Sequence, residues 1–196
     1  MYDAPAPAQL QTTTTAQITA AAPGSGVPVL LVCGVSGSGK TTIGTLLAER
    51  LGWSYAEADS FHQPANVAKM AAGHALDDAD RAPWLAAIAA FIDETTLAHR
   101  PAVVTCSALK RAYRDVLRAG HPHLRLIFLE ASYELIRQRL AGREGHFFPA
   151  ELLASQFADL EAPEPDEHIL QVEVGAAPEQ IVERLLHLGV AGGVGA

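Results

Sequence analysis

The feature that most restricts this chain is a glycine-rich loop between a short apolar run and an amphipathic segment. The run VLLVC (29–33) is typical of a buried strand, GVSGSGKT (34–41) interrupts it, and TTIGTLLAERLG (41–52) repeats apolar residues at helical spacing. The loop matches G-x-x-x-x-G-K-S/T at every fixed position, in the strand-loop-helix context that the motif requires. The sequence therefore predicts a phosphate-binding loop whose glycines let backbone N–H groups point at phosphate oxygens.

The residues of this loop are predicted to bind a nucleotide in different ways. Lys40 carries a full charge toward the β- and γ-phosphates, and the hydroxyl of Thr41 is a candidate ligand for Mg²⁺. The predicted ATP-binding residues are Gly34, Val35, Ser36, Gly37, Ser38, Gly39, Lys40, Thr41 and Thr42. The motif alone does not separate a kinase from a GTPase or an ATP-driven machine.

The strand-helix alternation continues along the chain and predicts an α/β fold. Four further strands are predicted, at 53–57, 102–107, 124–130 and 169–174. Helices are predicted after them, at 83–99, 109–120, 132–143 and 178–189, with Pro83 opening the first and Ser132 capping the third. Apolar strands separated by helices indicate a five-stranded parallel sheet between two helical layers, a three-layer α/β/α sandwich.

Composition limits the chain to one domain with tails. Its 196 residues, 49% of them hydrophobic, suffice for one sizeable core, and no apolar stretch approaches the ~20 residues that span a bilayer. Residues 1–27 lack the features of a secretory or mitochondrial leader and are predicted to be a flexible tail. The folded domain is predicted at 28–190, followed by a tail at 191–196. Cys33 and Cys106 are expected to be buried thiols in a reducing cytoplasm.

The charge of the chain limits its partners. The formal net charge of −8 disfavours binding to nucleic acid or to an anionic membrane, so an anionic ligand needs local positive charge. The sequence provides that charge: 13 of the 14 Lys and Arg residues lie between Lys40 and Arg143. This stretch carries a net charge of +2, whereas the residues after it carry −9.

A polar segment after the second strand is predicted to bind a second ligand. ADSFHQPANVAKMAAGHALDDADRAPWL (58–85) places many charged and hydrogen-bonding groups between two apolar elements. Asp59 directly follows the strand, and the carboxyl ends of parallel strands face the ligand crevice of an open sheet. A carboxylate there could orient an acceptor hydroxyl, take its proton or hold a water on Mg²⁺. A turn or helix-cap role for Asp59 is the alternative.

Together with the loop, three further segments resemble the gluconokinase family of small P-loop sugar-acid kinases. They are the polar segment 58–85, CSALKRAYRDVLR (106–118), and REGHFF (143–148) with QFADLEAP (156–163). The resemblance implies transfer of the ATP γ-phosphoryl group to a terminal hydroxyl of D-gluconate with Mg²⁺, in gluconate degradation feeding the pentose phosphate route. It also implies a fold similar to shikimate and nucleoside monophosphate kinases, a mobile lid at about 137–163, and a possible homodimer.

Gluconate carries one carboxylate and several hydroxyls, so its site needs cations and polar partners. The candidates for the carboxylate are Arg81, Lys110 and Arg114, with Lys69 and Arg111 behind them. Asp59, His62 and Asn66 are the candidates for the hydroxyls. A solvated helix surface is the alternative for the basic residues of 109–120.

The predicted lid contributes two arginines. Arg139 and Arg143 are four residues apart, which aligns them on one helical face. With Lys40 and Asp59 they are the predicted catalytic residues, and they would stabilise the charge of the transferring phosphoryl group, although helix-surface arginines are also common. The closed lid is expected to be anchored by His146, Phe147 and Phe148. The adenine base is expected to bind near Arg137 and Gly175 to Pro178.

Other P-loop classes fit the sequence less well. A GTPase should carry N-K-x-D and D-x-x-G motifs, and neither string occurs. A shikimate kinase should show D-x-D after the second strand and a Gly-rich turn after the third, where this chain has EAD (57–59) and CSALK (106–110). A gluconokinase is therefore predicted. A shikimate-kinase-like or other small-metabolite kinase is the alternative, and a GTPase-type regulatory module is disfavoured.

Overall fold

The structure is a computed structural model that describes residues 27–141 and 150–192. Most of the predicted N-terminal tail and residues 193–196 lie outside the described ranges. So does the part of the predicted lid that contains Arg143, His146, Phe147 and Phe148. Within the described ranges, no helix is long and apolar enough to cross a membrane.

Five parallel strands form one sheet, which confirms the predicted sheet. They are β1 (Val29–Cys33), β2 (Ser54–Glu57), β3 (Ala102–Cys106), β4 (Leu124–Glu130) and β5 (Leu170–Glu173). Their order across the sheet is β2-β3-β1-β4-β5. β1 and β3 are completely buried, as their uniformly apolar sequences predict, whereas the edge strands β2 and β5 are partly exposed and carry polar residues.

Helices cover both faces of this sheet. Those described are α1 (Lys40–Leu51), α2 (Pro64–Ala71), α3 (Asp78–Leu97), α4 (Arg111–Arg118), α5 (Tyr133–Ala141), α6 (Ala150–Asp159) and α7 (Pro178–His187). Successive residues of β1 point to opposite layers: Leu31 packs with residues of α3 and α4, and Leu30 with residues of α1 and α7. The predicted three-layer sandwich is thus confirmed.

The start of α3 differs from the prediction. The sequence predicts that Pro83 opens this helix, but a capping box between Asp77 and Asp80 starts it at Asp78, five residues earlier. The Asp77 carboxylate accepts a hydrogen bond from the backbone N–H of Asp80, and the Asp80 carboxylate accepts one from that of Asp77, both at 2.9 Å. This reciprocal pairing satisfies donors that a helix start leaves free, so α3 begins at Asp78 and Pro83 lies inside it.

Two smaller predictions are confirmed. The backbone N–H of Leu135 donates to the Ser132 hydroxyl at 3.2 Å, so Ser132 caps α5. Cys33 and Cys106 are free and buried, at paired positions of β1 and β3. Burial raises the pKa of the Cys33 thiol to about 12, so it remains a neutral core side chain.

Candidate active site

The loop between β1 and α1 adopts a backbone that glycine favours. The φ angle is +142° at Gly34, +81° at Gly37 and +97° at Gly39. A Cβ atom on Gly34 would lie 2.8 Å from the carbonyl oxygen of Leu129 on β4, so the loop can pack this closely on the sheet only without a side chain. The loop leads into the N-terminus of α1, where backbone N–H groups and the helix dipole favour an anion.

Two polar side chains of the loop match a phosphate site. Lys40 folds back so that its Nζ donates to the carbonyl oxygen of Val35 at 3.1 Å. Burial lowers the pKa of Lys40, and the nearby Asp59 carboxylate opposes this change most. Ser38 is 1% exposed, and its hydroxyl has no hydrogen-bond partner among the described residues. This buried hydroxyl lies in a loop that also carries the Lys40 ammonium. A phosphate oxygen bound there would supply the hydrogen-bond partner that the hydroxyl lacks.

A cavity of about 320 Å³ opens beside the loop. Residues of α1, α5 and the segment after β5 complete its wall, among them Thr42, Ile43, Arg139, Leu140, Val174 and Ala176. Arg139 donates to the carbonyl oxygen of Val174 at 2.5 Å, which ties α5 to that segment. Arg137 is exposed and pairs with Glu134 at 2.7 Å, so the arginine that lines the cavity is Arg139 and not Arg137.

Glu57 is a site residue that the sequence analysis missed. Its carboxylate accepts hydrogen bonds from the hydroxyls of Thr41 at 2.9 Å, Tyr55 at 2.8 Å and Thr105 at 3.1 Å. Because Thr41 uses its hydrogen to bond Glu57, its oxygen lone pairs remain for a cation. Glu57 ends β2 at the carboxyl edge of the sheet, and that position was the signal that could have found it.

The residues that follow β2 form the acceptor side of the site. Asp59 lies exposed in a single 3₁₀ turn, Ala58–Phe61, just past the strand, as predicted. The ring of His62 stacks on Trp84 with centroids 4.5 Å apart, and the Trp84 indole donates to the carbonyl oxygen of Ala58 at 2.7 Å. Burial lowers the pKa of His62, so its imidazole is neutral at pH 7. Its Nδ1 has no partner within the described part of the chain.

Two of the predicted carboxylate-binding cations lie together. The Arg81 guanidinium is 5.4 Å and the Lys110 ammonium 5.5 Å from the ring centroid of Tyr113. Lys110 donates to Asp78 at 2.8 Å. Asp159, at the end of α6, lies 3.4 Å from Arg81 and 3.8 Å from Lys110. The structure therefore places a carboxylate of the protein between the two cations.

The prediction that Arg114 binds the substrate carboxylate is wrong. Arg114 is completely buried, and its Nε and Nη2 donate to both oxygens of Glu167 at 2.6 and 2.7 Å. Its Nη1 donates to the carbonyl oxygens of Leu109 and Glu161 at 2.9 and 3.0 Å. A guanidinium surrounded by these acceptors inside the protein has a structural role and is not free to bind substrate.

Three other candidates also lie in contacts within the protein. Asn66 donates to the carbonyl oxygen of Asp80 at 2.7 Å, and Lys69 pairs with Asp80, so both residues tie α2 to the start of α3. Arg111 pairs with Asp166 at 2.7 Å on the surface. Asn66 and Lys69 thus join α2 to α3, and Arg111 lies in a surface ion pair, whereas Arg81 and Lys110 share the ring of Tyr113 and the carboxylate of Asp159.

Known proteins share both the sequence and the fold of this chain. Residues 29–163 match the family model described as an AAA domain. A gluconokinase from Gluconobacter oxydans is 48% identical over 157 residues, which cover 80% of this chain and 88% of that protein. The crystal structure of a gluconokinase from Sinorhizobium meliloti has a TM-score of 0.75 at 42% identity, covering 84% of this chain and 92% of that one.

A more distant solved structure shares the fold alone. Shikimate kinase from Acinetobacter baumannii is 18% identical, with a TM-score of 0.56 over 86% of this chain and 96% of that one. The predicted fold similarity to shikimate kinase is thereby confirmed. The identity to the two gluconokinases is more than twice as high and extends over nearly their whole length. The chain therefore belongs to the gluconokinase family.

Proposed function

We propose that this protein is an ATP-dependent gluconokinase that transfers the γ-phosphoryl group of ATP to the terminal hydroxyl of D-gluconate in the cytoplasm. One observation carries the proposal beyond family membership. Within the described ranges, the two buried side-chain atoms without a hydrogen-bond partner are Ser38 Oγ and Nδ1 of His62. One lies in the phosphate loop and the other on the acceptor side, which fits a kinase that binds two polar ligands.

Mg·ATP would occupy the loop and the adjoining cavity. The loop amides, the Ser38 hydroxyl and Lys40 would hold the phosphates, and the base would enter the cavity that Arg139 lines. We therefore assign Arg139 to the nucleotide. The role at the transferring phosphoryl group that the sequence suggested for Arg139 and Arg143 remains a prediction.

Gluconate would bind on the acceptor side. Its carboxylate would pair with Arg81 and Lys110 in place of Asp159, because two adjacent cations match one carboxylate. The neutral imidazole of His62 would bond a substrate hydroxyl through Nδ1. Asp59, exposed in the turn just past the carboxyl end of β2, would orient or deprotonate the attacking hydroxyl beside the phosphates.

The residues around Thr41 fit Mg²⁺. Hydroxyl and carboxylate oxygens are the ligands that this ion prefers, and it commonly keeps several waters. Thr41 would bind it directly, with Glu57 and Asp59 acting through water. When bound, the ion would neutralise charge on the β- and γ-phosphates.

An ADP-release assay with different acceptors tests the proposal. Turnover is expected with D-gluconate, and not with shikimate, nucleoside monophosphates or water alone. Lys40→Ala should abolish transfer while keeping the melting temperature, and Asp59→Asn should lower kcat by about 100-fold or more if Asp59 is the base. Turnover only with another acceptor would refute the assignment.

The resemblance also predicts a homodimer, which light scattering of the purified protein would test.

A further inference from the structure

Helix α6 contacts the phosphate loop through Gln156. The backbone N–H of Ser36 donates to Oε1 of Gln156 at 2.7 Å, and Nε2 of Gln156 donates to the Ser36 hydroxyl at 2.9 Å. One turn earlier on α6, Leu153 is buried in a cluster that includes Val35. A residue 120 positions away in sequence thus holds the middle of the loop through two hydrogen bonds.

The orientation of this amide follows from its partners. A backbone N–H can only donate, so the carbonyl oxygen of the Gln156 side chain must face it. The NH₂ group then faces the Ser36 hydroxyl, which accepts. Both ends of the Gln156 side chain are therefore committed to one residue of the loop.

The peptide unit that Gln156 holds also positions Lys40. The Val35 carbonyl and the Ser36 N–H belong to the same peptide, and the carbonyl accepts hydrogen bonds from Lys40 Nζ at 3.1 Å and from the Ser38 N–H at 3.2 Å. In a trans peptide the C=O and N–H point in opposite directions from one plane. Gln156 and Lys40 are thus bound to opposite sides of a single rigid unit, and a rotation of that unit would break both contacts.

The hydrogen bonds that the loop itself makes to this unit are on its carbonyl side, from Lys40 Nζ and the Ser38 N–H. The Ser36 N–H, on the opposite side, bonds to Gln156. Among the described residues, Gln156 is the side chain from outside the loop that hydrogen-bonds this peptide.

We propose that Gln156 is a positioning residue for phosphoryl transfer, because it fixes the Val35–Ser36 peptide and through it the Lys40 ammonium. This inference rests on the proposed function, since it assigns the contact to the kinase reaction. Charge delivered by Lys40 matters most as charge develops on the transferring group. Loss of the contact should therefore lower kcat more than it raises either KM.

Gln156→Met tests this inference, because methionine has a similar length but makes neither hydrogen bond. We expect kcat to fall about 10- to 100-fold, with both KM values within about threefold of wild type. The matched control is Gln138→Met on α5, where the amide donates to the exposed Glu134 at 3.3 Å, and wild-type kinetics are expected. Ser36→Ala keeps the backbone N–H bond and should lower kcat less than Gln156→Met does.

Three results would overturn the inference. The first is a kcat of Gln156→Met within about twofold of wild type. The second is a rise in both KM values with a lower melting temperature and an unchanged kcat, reproduced by Leu153→Ala, because that pattern reports only loosened packing of α6. The third is a loss of kcat in Ser36→Ala as large as that in Gln156→Met. The effect of Gln156 would then pass through the Ser36 hydroxyl and not through the peptide N–H.

The inference and the proposed function fail separately. No turnover of gluconate by the wild-type protein refutes the function. The ratio of variant to wild-type kcat, measured with whichever acceptor the wild type uses, tests Gln156.

Discussion

Replacing Arg114 by Met should destabilise the protein without weakening substrate binding. Arg114 and Glu167 are both completely buried, and the guanidinium also donates to backbone carbonyls of Leu109 and Glu161. Breaking a buried ion pair from one side leaves an uncompensated charge and costs about 3–5 kcal/mol. In a protein of this size 1 kcal/mol corresponds to about 2–4 °C, so the melting temperature should fall by about 6–20 °C.

Differential scanning calorimetry at pH 7 measures this loss. Arg111→Met is the matched control, because it removes an arginine of the same helix whose partners are exposed, and it should lower the melting temperature far less. The double variant Arg114→Met/Glu167→Gln removes both charges and keeps an acceptor for the Glu164 N–H, so it should recover part of the stability. Well below unfolding, the KM for gluconate of Arg114→Met should stay within about twofold of wild type.

The same pair predicts a dependence on pH. Hydrogen bonds from Arg114 hold the pKa of Glu167 below its ordinary value of 4.5. A carboxyl group whose pKa is lowered by folding stabilises the protein above its ordinary pKa, and this contribution disappears as the pH falls through the lowered value. The difference in melting temperature between the wild type and Glu167→Gln should therefore be full at pH 7 and shrink below pH 4.5.

One combination of results would refute the reasoning about Arg114. If Arg114→Met melted at the temperature of Arg111→Met while its KM for gluconate rose tenfold or more, the guanidinium would be a substrate ligand. A tenfold rise corresponds to about 1.4 kcal/mol of lost binding free energy. The buried pair with Glu167 would then contribute little to stability.

Three further changes test other parts of the site. Glu57→Gln should raise the Mg²⁺ concentration that gives half-maximal rate by about 10- to 100-fold, and an unchanged Mg²⁺ titration would exclude Glu57 from the metal site. Asp159→Asn should lower the KM for gluconate by up to about fivefold, because it removes one carboxylate that competes for both Arg81 and Lys110, whereas a higher KM would make Asp159 a substrate ligand. Deletion of residues 1–27 should leave kcat/KM unchanged, and a large loss would show that this segment takes part in activity.

Local features of the site could be predicted from the sequence because neighbouring residues define them. The spacing of Gly34, Lys40 and Thr41 is sufficient to place a phosphate loop before a helix. The position of Asp59 follows from the rule that strand ends face the crevice of a parallel sheet. Glu57 obeys the same rule two residues earlier, but nothing local distinguishes it from a solvated edge residue until Thr41 and Thr105 reach it.

The fold class and the loop before α1 followed from the sequence alone. The sequence could not show which basic residues have partners within the protein, because those partners come from distant parts of the chain. Lys110 and Arg114 both lie in the predicted helix 109–120, yet Lys110 precedes α4 and meets Asp78, whereas Arg114 is buried against Glu167, 53 positions away. The contacts of Arg114 and Gln156 depend on tertiary structure, because the burial of Arg114 and the two hydrogen bonds from Gln156 to Ser36 arise when remote segments pack together.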